Sequence, residues 1–341
     1  MAKELEQNHN PLPEVSFAEF TLPDYEQWKN EAVAALKGAP FEKKLFTKTY
    51  EGIALEPIYT QAHTQNLQQP HTFPGGPDYL RSVKAEGYLK EPWAAAQAAD
   101  SAVPAESNAI LKYELAKGAT AVNIVLADSV RQGQDFNAAA YERGVIVATL
   151  ADIEALLQDI DLTKYPIQIA AGASALPVLA LLQAHAKQEN LAQYTGCVGA
   201  DPLGALAEYG TLPAALPALY DEMAQCINWA KEQMPQMRTV LVQGQVYDNG
   251  GANSVQEVAS AITYLSEMAE RGISINDAAK SIRFSLALGS NFFMQIAKLR
   301  AARMVWAQIV QAFGGDEEAQ KLNVIARTSS FTKTVYDPYV N

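Results

Sequence analysis

Beyond residue 108 the hydrophobic positions follow two alternating patterns. Short runs rich in β-branched and small apolar residues occupy residues 121–126, 145–148, 167–171, 196–199, 239–243, 283–288 and 323–326, which gives seven candidate strands. Longer segments with apolar residues at helical spacing lie between them. In one, Ser254 and Glu257 have the spacing of a capping box, Val258, Ala261, Ile262, Leu265 and Met268 share a face, and Gly272 supplies the stop. Another runs from about Asn291 through Phe292, Ile296, Leu299 and Val305 to Gly314-Gly315. Strands separated by helices need right-handed crossovers, so the pattern predicts a parallel sheet buried on both faces.

Two architectures satisfy that pattern, an eight-stranded barrel and an open doubly wound sheet. The open sheet usually carries a Gly-rich phosphate turn after its first strand, whereas this chain continues Leu126-Ala127-Asp128-Ser129-Val130-Arg131-Gln132-Gly133. The fold class favoured is therefore α/β, a parallel (β/α) barrel of the TIM type, with about seven of its eight strands legible. The eighth is either outside this chain or hidden in it.

The chain before the repeating pattern reads differently. Residues 1–40 are polar and Pro-punctuated until a helical period begins near Tyr25, Trp28 and Val33. Residues 41–92 are rich in Pro, Gly, Gln and aromatics, including Phe73-Pro74-Gly75-Gly76-Pro77, and hold no sustained period. An irregular segment of that length is commonly functional or an interaction surface. The expected division is residues 1–92 as an N-terminal arm and extended interface segment and residues 93–341 as the barrel.

Composition narrows the function classes. The 341 residues include 26 Lys and Arg against 38 Asp and Glu, a formal charge of -12 that repels nucleic acid and anionic membrane surfaces. The opening Met1-Ala2-Lys3-Glu4-Leu5-Glu6 lacks the apolar core of a signal peptide, and no apolar run is long enough to span a bilayer, so the expectation is a soluble cytoplasmic protein. Cys197 and Cys226 have no partner at metal-ligand spacing and read as reduced packing residues.

Barrel sites are built at the C-terminal ends of the strands. None of His9, His63, His71 and His185 falls there, which argues against an imidazole base. The groups read at strand ends are Asp128, Ser129, Gly172 to Ser174, Asp201, Gln245, Tyr247, Asp248, Arg283, Arg327 and Ser329. Of these, Asp201, Asp248, Arg283 and Arg327 could form a charged cluster in the barrel mouth, either as a structural ion-pair network or as a site.

Several stretches, in order from about residue 45 to the last residue, resemble the N-terminal barrel domain of the methylmalonyl-CoA mutase family. The longest is Asn291-Phe292-Phe293-Met294-Gln295-Ile296-Ala297-Lys298-Leu299-Arg300-Ala301-Ala302-Arg303. Others are Tyr50-Glu51-Gly52-Ile53-Ala54-Leu55-Glu56-Pro57-Ile58-Tyr59-Thr60, Pro74-Gly75-Gly76-Pro77 before Arg81, Glu106-Ser107-Asn108, and Asp337-Pro338-Tyr339.

The departures are as informative as the matches. The resemblance implies, in catalytic members, an Arg-Gln-Tyr-Ala run whose tyrosine wedges against the adenosyl group; here the run is Ala96-Gln97-Ala98-Ala99. A Gly-Tyr-His-Met run whose histidine bonds the thioester carbonyl reads Gly244-Gln245-Val246-Tyr247, and a Gln-Asn-Asp reads Gly199-Ala200-Asp201. An Arg-Pro-Trp near the coenzyme A entrance reads Glu91-Pro92-Trp93, a carboxylate where a phosphate needs a cation. The expected catalytic set is therefore none, its positions being taken by Ala98, Gly199 and Val246, with Asp201, Tyr247, Arg283 and Arg327 as a vestigial substrate-binding set.

This pattern is similar to the small, non-catalytic subunit of heterodimeric members. The resemblance implies a catalytic large subunit as partner, adenosylcobalamin in the holoenzyme, and no cofactor or metal bound by this chain. The family's cobalt-ligating Asp-x-His-x-x-Gly motif is absent, since Gln7, Gln61, Gln69 and Gln183 stand two residues before the four histidines. Full small subunits continue past the barrel into a cobalamin-type domain, so the expectation is an N-terminal fragment or short paralogue that stops before the last barrel strand. Two other functions stay open: a regulatory barrel that binds an acyl-CoA, and an enzyme of altered chemistry on an acyl thioester.

Overall fold

The computed structural model describes residues 16–17, 19–20, 24–67, 69–90, 92–136, 143–186, 191–252, 254–337 and 339–340. The chain divides into two compact units, residues 1–70 and 71–341.

In the first unit the helix expected near Tyr25 forms as α1 (Tyr25–Ala35). Its start is fixed reciprocally: the Gln27 backbone N–H donates to Asp24 Oδ1 at 2.8 Å, and the Asp24 N–H donates to Gln27 Oε1 at 3.2 Å. A short helix α2 (Phe41–Leu45) and the antiparallel pair β1 (Thr47–Lys48) and β2 (Ala54–Leu55) follow, then α3 (Gln61–Thr64). Edge-on ring contacts of Trp28 with Phe41 and of Phe41 with Phe46 hold this unit together in place of a regular core.

The second unit is built on β3 (Ala98–Ala99), α4 (Pro104–Ala116), β4 (Val122–Ile124), α5 (Asp128–Arg131), α6 (Leu150–Leu157), β5 (Ile167–Gly172), α7 (Leu176–Ala186) and β6 (Gly196–Ala200). It continues through α8 (Pro202–Tyr209), α9 (Leu216–Gln233), β7 (Met237–Gln243), α10 (Gly244–Asn249), α11 (Val255–Glu270), α12 (Ile275–Ser281), β8 (Ile282–Leu288), α13 (Phe292–Ala312) and β9 (Val324–Thr328). The strands form one seven-stranded sheet in the order β3-β4-β5-β6-β7-β8-β9, and every neighbouring pair is parallel. The apolar positions that face the helices, among them Ile124, Ile167, Ile169, Val198, Val240 and Val242, are at most 1% exposed. Their burial against the helix layer is the main driving force for this arrangement.

The sheet curls into part of a barrel. Arg283 on β8 donates Nη1 to Gln168 Oε1 on β5 at 3.0 Å. In a flat sheet those strands would lie three spacings, roughly 14 Å, apart. The parallel barrel-type fold expected from the hydrophobic pattern is thus present with seven strands, although one member differs.

Residues 145–148, expected as a strand, make a single parallel bridge from Val145 to Leu126. Two local features confine them. Gly144 has a φ of +103°, and a Cβ there would lie 2.6 Å from the Leu126 carbonyl, so only glycine allows this approach. Five residues later Thr149 accepts the Asp152 N–H and starts α6, which leaves no length for a strand. The missing member is Ala98–Ala99, whose pairing depends on partners such as the Val125 N–H, which donates to the Ala99 carbonyl at 3.0 Å. An alanine run carries no β-branched signal, and tertiary contact decides its state.

Within residues 71–92, the chain reverses at Tyr79, which has a φ of +49° and is buried. Arg303 on α13 holds this turn by donating Nε to the Tyr79 carbonyl at 3.0 Å and Nη2 to the Leu80 carbonyl at 2.8 Å. The Tyr79 hydroxyl donates to the Glu317 carbonyl at 3.1 Å. No described helix is long and apolar enough to cross a membrane.

Candidate functional site: the lumen of the curled sheet

Alternate residues of each strand point away from the helix layer. These inward positions enclose a cavity of about 60 Å³, whose lining includes Asn123, Gln168, Leu241, Gln243, Ser285 and Arg327 from the strands and Arg131 from α5. Leu241 lines it and packs directly over Gly199 on β6. A Cβ on Gly199 would lie 2.3 Å from the Leu241 Cβ and 2.6 Å from the Leu241 backbone nitrogen, so the glycine is required for the leucine to sit where it does. The cavity has room for only a handful of heavy atoms.

Its lining is half apolar, with Ile124, Val125, Leu126, Ala170, Leu241 and Ile325 beside the six polar residues, and among the described residues it contains no carboxylate. Arg131 is held from outside: Nη2 donates to Glu208 Oε2 at 2.6 Å and Nη1 approaches Asp128 Oδ1 at 3.4 Å. Burial opposes its charge, and Glu208, Tyr209 and Asp128 more than restore it, so its pKa ends above the ordinary value. Ser285 donates to Gln245 Oε1 at 3.0 Å. Two buried donors of the wall, Arg131 Nε and Gln243 Nε2, have no hydrogen-bond partner among the described residues.

The residues anticipated at the strand ends separate into distinct environments. Asp201 is fully buried at the N-cap of α8, where Oδ1 accepts the Gly204 N–H at 3.0 Å and the Tyr264 hydroxyl at 2.5 Å, and Oδ2 accepts the Gln243 N–H at 2.9 Å. Desolvation raises its pKa against the lowering effect of those three donors. Tyr247 shares a 2.9 Å hydrogen bond with Ser260 on α11, and Asp248 accepts from the Ser329 hydroxyl. Asp128 accepts from the Tyr209 hydroxyl at 2.8 Å. Gly172 has a φ of +80°, and the Leu176 N–H donates to Ser174 Oγ at 3.2 Å.

Arg283 is second in β8, at the N-terminal end of the sheet and opposite the mouth, where Nε also donates to Asn323 Oδ1. The charged cluster of Asp201, Asp248, Arg283 and Arg327 therefore does not form. Its members belong to different layers, and Arg327 alone of the four lines the cavity. Ala98 is half-buried on the edge strand β3, and Val246 is half-buried on α10. Glu91, His9 and Pro338 lie outside the described residues.

The polar wall residues Asn123, Arg131, Gln168, Gln243 and Ser285 were not anticipated. The signal existed in Val122-Asn123-Ile124 and Ile167-Gln168-Ile169, where an amide interrupts a strand that should be apolar on both faces. Both cysteines are free and buried, and burial pushes the Cys197 thiol up to about 11 and the Cys226 thiol to about 12. Neither is a nucleophile in that state.

No histidine or cysteine lines the cavity, and no group of three metal-ligating side chains occurs among the described residues. His63 lies in the first unit, where Nδ1 accepts the Thr60 N–H at 3.0 Å. The lining of this cavity thus holds, among the described residues, no imidazole or thiolate that could ligate the cobalt of adenosylcobalamin.

A curled, all-parallel seven-stranded sheet packed against helices defines a barrel-type α/β protein. The chain belongs to the methylmalonyl-CoA mutase family, whose model matches residues 48–341. It is 31% identical to methylmalonyl-CoA mutase of Escherichia coli K12 over 309 residues, covering 87% of this chain and 43% of that protein. It is 28% identical to the methylmalonyl-CoA mutase large subunit of Streptomyces virginiae, covering 93% and 44%, and 26% identical to that of Porphyromonas gingivalis, covering 96% and 46%. The chain spans less than half the length of these curated relatives.

Proposed function

We propose that this chain is a non-catalytic small-subunit barrel of an adenosylcobalamin-dependent methylmalonyl-CoA mutase, which supports a catalytic large subunit rather than turning over substrate itself. The observation that carries the reading is the small lumen cavity of about 60 Å³, lined by Leu241 where it packs over Gly199. An acyl-CoA needs an open axial channel. Ala98 and Val246, where the family resemblance places a wedging tyrosine and a thioester-binding histidine, can donate no hydrogen bond from their side chains. Cobalamin belongs to the holoenzyme in this reading, in keeping with a wall that lacks a cobalt ligand.

The test is co-purification. Tagged chain co-expressed with a catalytic large subunit should retain it through size-exclusion chromatography and lack isomerase activity alone when given adenosylcobalamin and methylmalonyl-CoA. Calorimetric titration with methylmalonyl-CoA or succinyl-CoA should show no saturable heat at millimolar ligand. Turnover by the isolated chain would overturn the proposal, and micromolar binding without turnover would favour a regulatory acyl-CoA-binding barrel.

A further inference from the structure

We propose that the lumen cavity binds a small free oxyanion, a carboxylate or phosphate of a few heavy atoms, held by Arg327, Arg131 and Gln243. This goes beyond the structural-subunit reading and stands whether or not a catalytic chain is bound.

Buried donors at this cavity outnumber their acceptors among the described residues. Six residues with polar side chains line the cavity, namely Asn123, Arg131, Gln168, Gln243, Ser285 and Arg327, beside six apolar ones, and among the described residues none is acidic. Gln243 is 7% exposed, and among the described residues its Nε2 has no hydrogen-bond partner; neither has the buried Nε of Arg131. Buried donors left unpaired are costly, so each calls for an acceptor that the protein does not supply. Gln168 adds to the surplus: its Oε1 is occupied by Arg283, which leaves its amide N–H groups as the remaining donors.

Charge selects the acceptor. The Nη1 and Nη2 groups of Arg131 are engaged by Asp128 and Glu208, so that cation is balanced from outside. Arg327 has no carboxylate partner among the described residues and remains exposed where it meets the cavity on the edge strand β9. It thus supplies both an unbalanced positive charge and an entrance. Water could satisfy single donors but cannot balance the guanidinium, whereas an oxyanion accepts several hydrogen bonds and carries the complementary charge.

Size sets the class of ligand. A water occupies roughly 10–15 Å³ of such volume, so about 60 Å³ suits four to six water-sized atoms. Acetate and phosphate fall in that range, and a nucleotide thioester does not.

Calorimetric titration of the whole chain with sodium phosphate, and separately with sodium acetate, distinguishes the sources when ionic strength is held constant with chloride. At least one titration should saturate in the millimolar range at one site per chain. Saturation by phosphate alone assigns a phosphate site, and saturation by acetate alone assigns a carboxylate site. Arg327→Gln, at an exposed position that should not impair folding, should weaken binding about tenfold, as expected for loss of a charge-assisted hydrogen bond. Gln243→Leu should weaken it as well. Crystals soaked in selenate give a positional readout, with an anomalous peak expected within hydrogen-bond distance of Arg327. The proposal is overturned by no saturable heat with either anion, by an Arg327→Gln affinity within twofold of wild type, or by selenate found only on the outer surface.

Discussion

The hydroxyl of Tyr264 on α11 donates to Oδ1 of Asp201 at 2.5 Å and itself accepts the Leu203 N–H at 2.9 Å. This contact fastens the outer helix α11 to the junction of β6 and α8. All three partners of the Asp201 carboxylate are donors, so Asp201→Asn would turn an amide N–H toward one of them. The expected loss is about 1–3 kcal/mol in urea unfolding. Tyr264→Phe should cost about 2 kcal/mol, because it removes a donor from Asp201 and leaves the Leu203 N–H unpaired. Wild-type stability for Asp201→Asn would show that the carboxylate is not the organising acceptor.

Glu257 gives the chain a pH signature. It is 2% exposed, and burial lifts its pKa to about 7, with Lys298 and Ser254 opposing the shift and Asp248 adding to it. Its folded pKa exceeds the ordinary glutamate value of about 4.5, so the native state binds the extra proton between those values. The favourable contribution is fully present below the unfolded pKa and is lost as pH rises through about 7. Glu257→Gln should remove that loss, on the order of 3 kcal/mol, and flatten stability between pH 5 and 7 relative to wild type. Parallel slopes for the two proteins in urea titrations across this range would contradict the assignment.

Gly199→Ala should destabilise the barrel by about 3 kcal/mol through overpacking. Leu241→Ala alone should cost about 2–4 kcal/mol as a cavity substitution. The double variant tests the geometry, because the Leu241 backbone nitrogen, 2.6 Å from the added Cβ, is still present when the side chain is trimmed. Gly199→Ala/Leu241→Ala should therefore remain less stable than Leu241→Ala. Full rescue in thermal unfolding would mean that the clash involves the side chain alone.

Arg303→Ala should release the turn at Tyr79 and Leu80, with a cost of about 2 kcal/mol for two charge-assisted hydrogen bonds. Arg303→Lys keeps the charge but cannot span both carbonyls as the planar guanidinium does, so it should restore only part of the loss. Limited proteolysis reads the effect locally, with faster cleavage between residues 75 and 90 expected in Arg303→Ala. An unchanged cleavage rate there would show that the turn is held mainly by the buried Tyr79 ring.

The parallel barrel-type architecture is legible in the chain's pattern, because runs such as Ile167-Gln168-Ile169 and Thr239-Val240-Leu241 alternate with amphipathic helices, and crossover handedness follows from chirality. The resemblance carried by Asn291 to Arg303 also identified the family. Only the tertiary structure decided that Ala98–Ala99 is a strand and that residues 145–148 shrink to one bridge, since both outcomes depend on which backbone groups face them. Arg283 was assigned to the mouth because a sequence run does not reveal which end of the strand faces the site. Its position as the second residue of β8, with hydrogen bonds to Asn323 and Gln168, places it at the strand's N-terminal end. The polar lumen was also decided in three dimensions. Asn123, Gln168, Gln243 and Arg327 lie far apart along the chain and meet because the sheet curls, a long-range property that no local pattern encodes.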